Sequence, residues 1–121
     1  MSQRLFLDKP EHWRADSAGD SVVALVIPAS LSRHRVFDID VTLVVKVPLD
    51  GMQPWHELIL EVDGRRQWSR RIFSSSPGQT DGLDYHCRVH LEAERALRVL
   101  ARAAAQGSSV ASLLIEAKEE R

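Results

Sequence analysis

Strict alternation of apolar and polar side chains runs through residues 35–48, RVFDIDVTLVVKVP. Phe37, Ile39, Val41, Leu43, Val45 and Val47 fall on one face, and Asp38, Asp40, Thr42 and Lys46 on the other, with Val44 the exception. A period of two over this length predicts a strand with one wet face, the mark of antiparallel sheet. Residues 21–28, SVVALVIP, are a short β-branched apolar run stopped by Pro28 and predict a buried strand. Residues 56–73 predict a hairpin around Asp63-Gly64, a dipeptide suited to the positive-φ conformations of tight turns. Leu58, Leu60 and Val62 share one face of its first strand. On its return strand, alternation places Trp68 and Ile72 with Arg66 and Arg70. Residues 74–82, SSSPGQTDG, are a loop by composition.

Alternation resumes in LDYHCRVHL, residues 83–91. Leu83, Tyr85, Cys87, Val89 and Leu91 point one way, and Asp84, His86, Arg88 and His90 the other. Residues 92–107 support two readings. Ala, Leu, Arg and Glu are strong helix formers, and Gly107 suits a helix C-terminus. Yet Leu97, Val99, Ala101, Ala103 and Ala105 also alternate against Arg98 and Arg102, which predicts a strand turning through QGSS into a last strand at 110–120. The neighbouring pattern favours the strand, because tertiary context overrides propensity. The expected fold is therefore all-β, an antiparallel β-sandwich of about six to eight strands with turn signals every ~8–12 residues. Its layout resembles the immunoglobulin-like or fibronectin-like arrangement, although the Cys…Trp…Cys pattern of true immunoglobulin domains is absent. The alternative is an α+β fold with a helix at about 92–106.

Length adds that residues 1–121 form one domain. Sixteen basic residues nearly cancel 17 acidic ones, for a net charge of −1. That balance supplies no field to draw nucleic acid or an anionic membrane, and little repulsion between copies. Cys87 is the single cysteine, so an intrachain disulfide scaffold is excluded. The N-terminal residues lack a signal-peptide apolar core, and no apolar run reaches the ~20 residues of a membrane helix. A cytoplasmic protein is the expectation.

Candidate chemistry centres on Asp84, His86, Arg88 and His90. In a strand, His86 and His90 have Cα atoms ~13 Å apart, whereas two ligands on one zinc lie ~3–4 Å apart. Arg88 stands between them and repels a cation. Asp84 and His86 are close enough to share an ion, but nothing nearby in sequence completes the pair. Cys87, on the other face, is a small buried hydrophobe with little thiolate character. No metal or cofactor is expected. Ser74, Ser75 and Ser76 occur without a nucleophile elbow, and glycine fingerprints for phosphate or dinucleotide are missing. Arg65, Arg66, Arg70 and Arg71 around Trp68 could contact single-stranded nucleic acid, but Glu57, Glu61 and Asp63 on the paired strand neutralise them. Trp13 and Trp55, each beside a His in loop-like segments, are candidate ligand platforms or plugs for an open end of the sandwich.

These observations predict a non-enzymatic interaction or accessory module that docks on a protein partner or self-associates through a sheet edge or face. The alternative is a small-ligand domain of carbohydrate type using Trp13 and Trp55. A His/Asp metal-dependent enzyme would require His86 or His90 to converge with His12, His34 or His56.

Overall fold

The structure, a computed structural model, describes residues 9–50 and 52–120. Eight strands follow one another: β1 (His12–Ser17), β2 (Val22–Ile27), β3 (Arg35–Lys46), β4 (Trp55–Val62), β5 (Arg65–Phe73), β6 (Thr80–Leu91), β7 (Leu97–Gln106) and β8 (Ser109–Glu119). Among the described residues there is no helix. The strands pair antiparallel in a nested series: β4 with β5, β3 with β6, β2 with β7, and β1 with β8. Further pairings of β3 with β8 and β4 with β7 complete two four-stranded sheets, ordered β1-β8-β3-β6 and β2-β7-β4-β5.

The sandwich is thus the one the alternation predicts, but its strand order is that of a jelly roll, a long hairpin doubled over on itself. That order differs from the strand order of the immunoglobulin-like or fibronectin-like layout expected above. The physical reason is plain. Alternation decides which face a side chain takes, but not which strand lies beside it.

The helix alternative at about 92–106 is corrected. β7 is an inner strand, bonded to β2 on one side and β4 on the other. Both rows of its backbone groups are satisfied there, and Leu97, Val99, Ala101 and Ala103 are buried. Those gains outweigh the local helix preference of Ala, Leu and Arg. Residues preceding the strand turn instead, with Glu94 at φ 66° and its N–H bonded to the Ser30 carbonyl.

Two further elements differ from expectation. β2 is an edge strand and not a buried one: Val23, Leu25 and Ile27 are buried, but Val22, Ala24 and Val26 face solvent. An apolar run hides its own alternation when both faces carry Val and Ala. Residues 12–17 form β1, so Trp13 lies on a strand, with its indole against the core.

Asp63 (φ 51°) and Gly64 (φ 82°) form a two-residue turn between β4 and β5, at the centre of the expected hairpin. A bulge follows it: Leu60 faces Trp68, but Glu61 faces Arg66, with Gln67 the extra residue. The bulge removes Arg66 from the face of Trp68 and Ile72, correcting the grouping that simple alternation gave.

The core lies between the sheets. Phe37, Ile39, Val41 and Val45 of β3, Leu58 and Leu60 of β4, Val99 of β7, and Leu113 and Ile115 of β8 are fully enclosed. Each large aliphatic or aromatic side chain buried this way contributes about 1.5–3 kcal/mol.

Candidate functional site: the sheet edges

Among the described residues the two sheets leave four edges, on β1, β6, β2 and β5. An edge strand exposes unpaired N–H and C=O groups that can accept another strand, and charged side chains are a usual guard against that. Which residues expose those groups follows from the ladder.

On β6 the Val47 N–H bonds the Gln79 carbonyl, so odd-numbered residues face β3 and even-numbered ones face outward. The outward backbone groups from 84 to 90 therefore belong to Asp84, His86, Arg88 and His90. These four side chains are exposed on the outer face of their sheet, as alternation predicts, with Cys87 on the opposite face. His86 lies 3.4 Å from Asp38, and Arg88 is paired with Glu120. His90 meets His34, ring centroids 5.7 Å apart, where the metal-enzyme reading needed a convergence. No third ligand joins them: among the described residues no three His, Cys, Asp or Glu side chains form a metal-ligand group. Burial raises the Cys87 thiol above its ordinary pKa, and the nearby Asp40 charge adds to the effect.

β1 is guarded in the same way. Its outward positions are His12, Arg14 and Asp16, with His12 2.6 Å from Glu116. β5 carries Arg65, Arg66, Arg70 and Arg71. The bulge and the turn distribute these arginines against different partners: Arg65 faces Val62, Arg66 faces Glu61, Arg70 faces Leu58 and Arg71 faces Glu57. Arg71 lies 3.5 Å from Glu57 and 3.9 Å above the Trp55 ring. On the inner side, Trp68 stacks on Tyr85 of β6 at 4.6 Å and closes that flank of the sandwich.

β2 differs from the other three. Its six residues, VVALVI, include no charged or polar side chain. The Ala103 N–H bonds the Ser21 carbonyl, which places the odd-numbered residues of β2 toward β7. The outward N–H and C=O groups are those of Val22, Ala24 and Val26. The same three side chains lie on the solvent face of the sheet, Val22 44% and Val26 56% exposed. Leu100, directly opposite Ala24 on β7, extends this apolar surface inward.

The tryptophans occupy strands, not loops. Trp13 donates its indole N–H to Glu11 at 2.9 Å and rims the core. Trp55 opens β4 and donates to the Gln106 amide oxygen at 3.0 Å. Beside it, directly across the ladder, Phe73 is 74% exposed.

Two buried polar clusters stand outside the residues that the sequence pattern singles out. At one end of the sandwich, Arg35 is 2% exposed. It donates to Glu11 at 2.7 Å and to the Pro28 carbonyl at 2.8 Å. Arg33 bridges Glu11 and Glu119. Burial pushes the Glu11 carboxyl up, but bonds from Trp13, Arg35 and Arg33 outweigh it and hold the group below its ordinary value. At the other end, His56 is fully buried. The Gly82 carbonyl, 3.1 Å from Nε2, can only accept, so Nε2 carries a proton. Nδ1 lies 2.7 Å from Ser74 Oγ, and Ser108 continues the chain to the Trp55 carbonyl. Asp81 is engaged by Ser75 and Gly82 and not by the imidazole. Backbone N–H bonding from Ser75 is the main cause that holds Asp81 low. His56 and Ser74 therefore act here as a polar plug that joins β4, β6 and two loops. Alternation did signal part of this: His56 and Arg35 sit at positions whose neighbours two residues on, Leu58 and Phe37, are core.

No protein-family model matches the chain, and no curated protein aligns with it. Solved structures with a similar fold include dimeric latent PorU from Porphyromonas gingivalis, at 14% identity and a TM-score of 0.61 over 91% of this chain. The mosquito-larvicidal Cry4Aa toxin from Bacillus thuringiensis matches at 9% identity and 0.52 over 86%. A family 35 carbohydrate-binding module from Clostridium thermocellum matches more loosely, at 10% identity and 0.43, covering 88% of this chain and 97% of the module. This chain spans 12% of the PorU chain and 19% of the Cry4Aa chain. At these identities the likeness is one of fold: a two-sheet antiparallel β-sandwich.

Proposed function

We propose that this domain is a protein-interaction module that docks by adding a strand at β2. One observation carries the reading. Of the four sheet edges among the described residues, β2 alone has no charged or histidine side chain along its length. Its free backbone groups at Val22, Ala24 and Val26 supply affinity to an extended segment, and the exposed Val22 and Val26 side chains supply an apolar contact. The test is selection of displayed random octapeptides on the folded protein. Selected peptides are expected to lose binding to Val26→Lys and to keep it on Phe73→Ala. Peptides that bind Val26→Lys normally and are lost on Phe73→Ala would contradict the reading.

A second reading, a small-ligand site of carbohydrate type, draws on the exposed Phe73 beside Trp55, with Gln106 and Glu57 as polar groups near them. A sugar stacking on the covered face of Trp55 must displace Arg71 from the ring. A glycan panel read by tryptophan fluorescence tests it. A response abolished by Trp55→Ala supports this site, and a flat panel removes it.

A further inference from the structure

We infer that the strand β2 accepts is β2 of a second copy of this chain, antiparallel about a two-fold axis through Ala24. The inference rests on the interaction reading above and names the partner. Three features of the edge carry it.

The first is register. Side chains alternate between faces, so in the extended sheet an inward residue must face an inward residue and an outward one an outward one. A two-fold axis at Ala24 satisfies this, with Val22 opposite Val26 of the partner subunit and Ala24 opposite Ala24 of the partner subunit. The outward-facing backbone groups belong to these same three residues, so each pair exchanges two hydrogen bonds, about six in all. An axis at Leu25 also preserves the faces, but it sets Val22 against Pro28, which has no N–H to give.

The second is chemistry. Val22 and Val26 cover each other across the axis, and Leu100, Ala24 and their two counterparts form one apolar row. Alanine on the axis lets the two strands approach without crowding. The strand is uncharged and the whole chain carries −1, so two copies meet without repulsion.

The third is closure. Pairing about a two-fold axis consumes the bare edge of both copies. The remaining edges of each copy carry His, Asp or Arg side chains, so strand addition stops at a dimer. One strand pair buries less than the ~1,200 Å² at the low end of specific interfaces, so the dimer depends on concentration.

Light scattering on the full chain from about 10 µM to about 1 mM should show mass rising from monomer to dimer. Val26→Lys, at a solvent-facing position, should remain folded by circular dichroism and weaken the dimer about 10-fold or more, since both Val26–Val22 contacts across the axis are lost and each edge gains a charge that disfavours strand pairing. In a Cys87→Ala background, Ala24→Cys should form a disulfide-linked dimer on mild oxidation, because paired Cα atoms lie ~5.5 Å apart. Val22→Cys in that background should not, its counterpart lying ~13 Å away. A monomer across the whole range, or a dimer indifferent to Val26→Lys, overturns the inference. So does a monomer whose Val22, Ala24 and Val26 amides are protected at every dilution, since an occupant from the same chain, such as residues 5–7, does not dilute away. Octapeptides lost on Val26→Lys alongside a strictly monomeric protein would remove self-pairing and leave strand addition standing.

Discussion

Glu11 is a partly exposed carboxylate that ties one end of the sandwich together. It accepts from Trp13, Arg35 and Arg33, and it joins the entry of β1 to the start of β3. Removing it leaves Arg35, almost wholly enclosed, with an uncompensated charge. Glu11→Ala is therefore expected to cost on the order of 2–4 kcal/mol in urea unfolding, somewhat below a fully buried pair because Glu11 itself is partly exposed. The pH dependence follows from its lowered pKa. A carboxyl held below its unfolded value of 4.5 stabilises the fold above that pH and loses the contribution as pH falls through the folded pKa. Stability should decline below about pH 4.5, and Glu11→Gln should flatten that decline while lowering stability at pH 7. An unchanged acid limb in the variant would mean that the contacts contribute nothing. Gly82 makes a second case. A Cβ there would collide with the Leu43 carbonyl, and its own carbonyl receives His56. Gly82→Ala is expected to destabilise by about 1–3 kcal/mol, read as a lowered melting temperature; an unchanged one would show that β3 and β6 can part without cost. Neither role was visible in sequence, because a carboxylate and a glycine near turn-like segments look the same whether they are solvated or locked.

At the scale of the element, legibility depended on contrast between the two faces. β3 and β6 each carry polar residues on one side, and alternation alone assigns their faces. β2 carries Val, Ala and Val where those strands carry Asp, Thr or His, so its exposed face has the composition of a buried one. The feature that obscured the strand is also the feature that distinguishes it as an edge. β7 was readable as a strand only from its neighbours, since the alanines that favour a helix are the small residues that fill its part of the core. Two substitutions on β2 should therefore part company. Leu25→Ala, on the buried face, should lower stability by about 2–4 kcal/mol. Val26→Lys, one residue away, should change it by about 0.5 kcal/mol or less in dilute solution. Equal losses at both positions would mean that Val26 is enclosed within the monomer.

For the whole molecule, the number of strands and the presence of two layers were legible, and the order of the strands was not. Turn spacing shows where a chain reverses. Which strands then lie side by side is decided by closure of the nested hairpin, with β3 pairing β8 and β4 pairing β7 across long sequence separations. Function follows from that order. It puts three charged strands at three edges and an uncharged strand at the fourth. Amide hydrogen exchange by NMR at two protein concentrations reads this arrangement directly. In dilute protein, Val23, Leu25 and Ile27 should be protected by β7, and Val22, Ala24 and Val26 should exchange freely. In concentrated protein, protection should appear at Val22, Ala24 and Val26, and the outward amides of β6 at His86 and Arg88 should remain fast. Fast exchange at Val22, Ala24 and Val26 at every concentration, with new protection arising on β6 instead, would contradict self-pairing at β2.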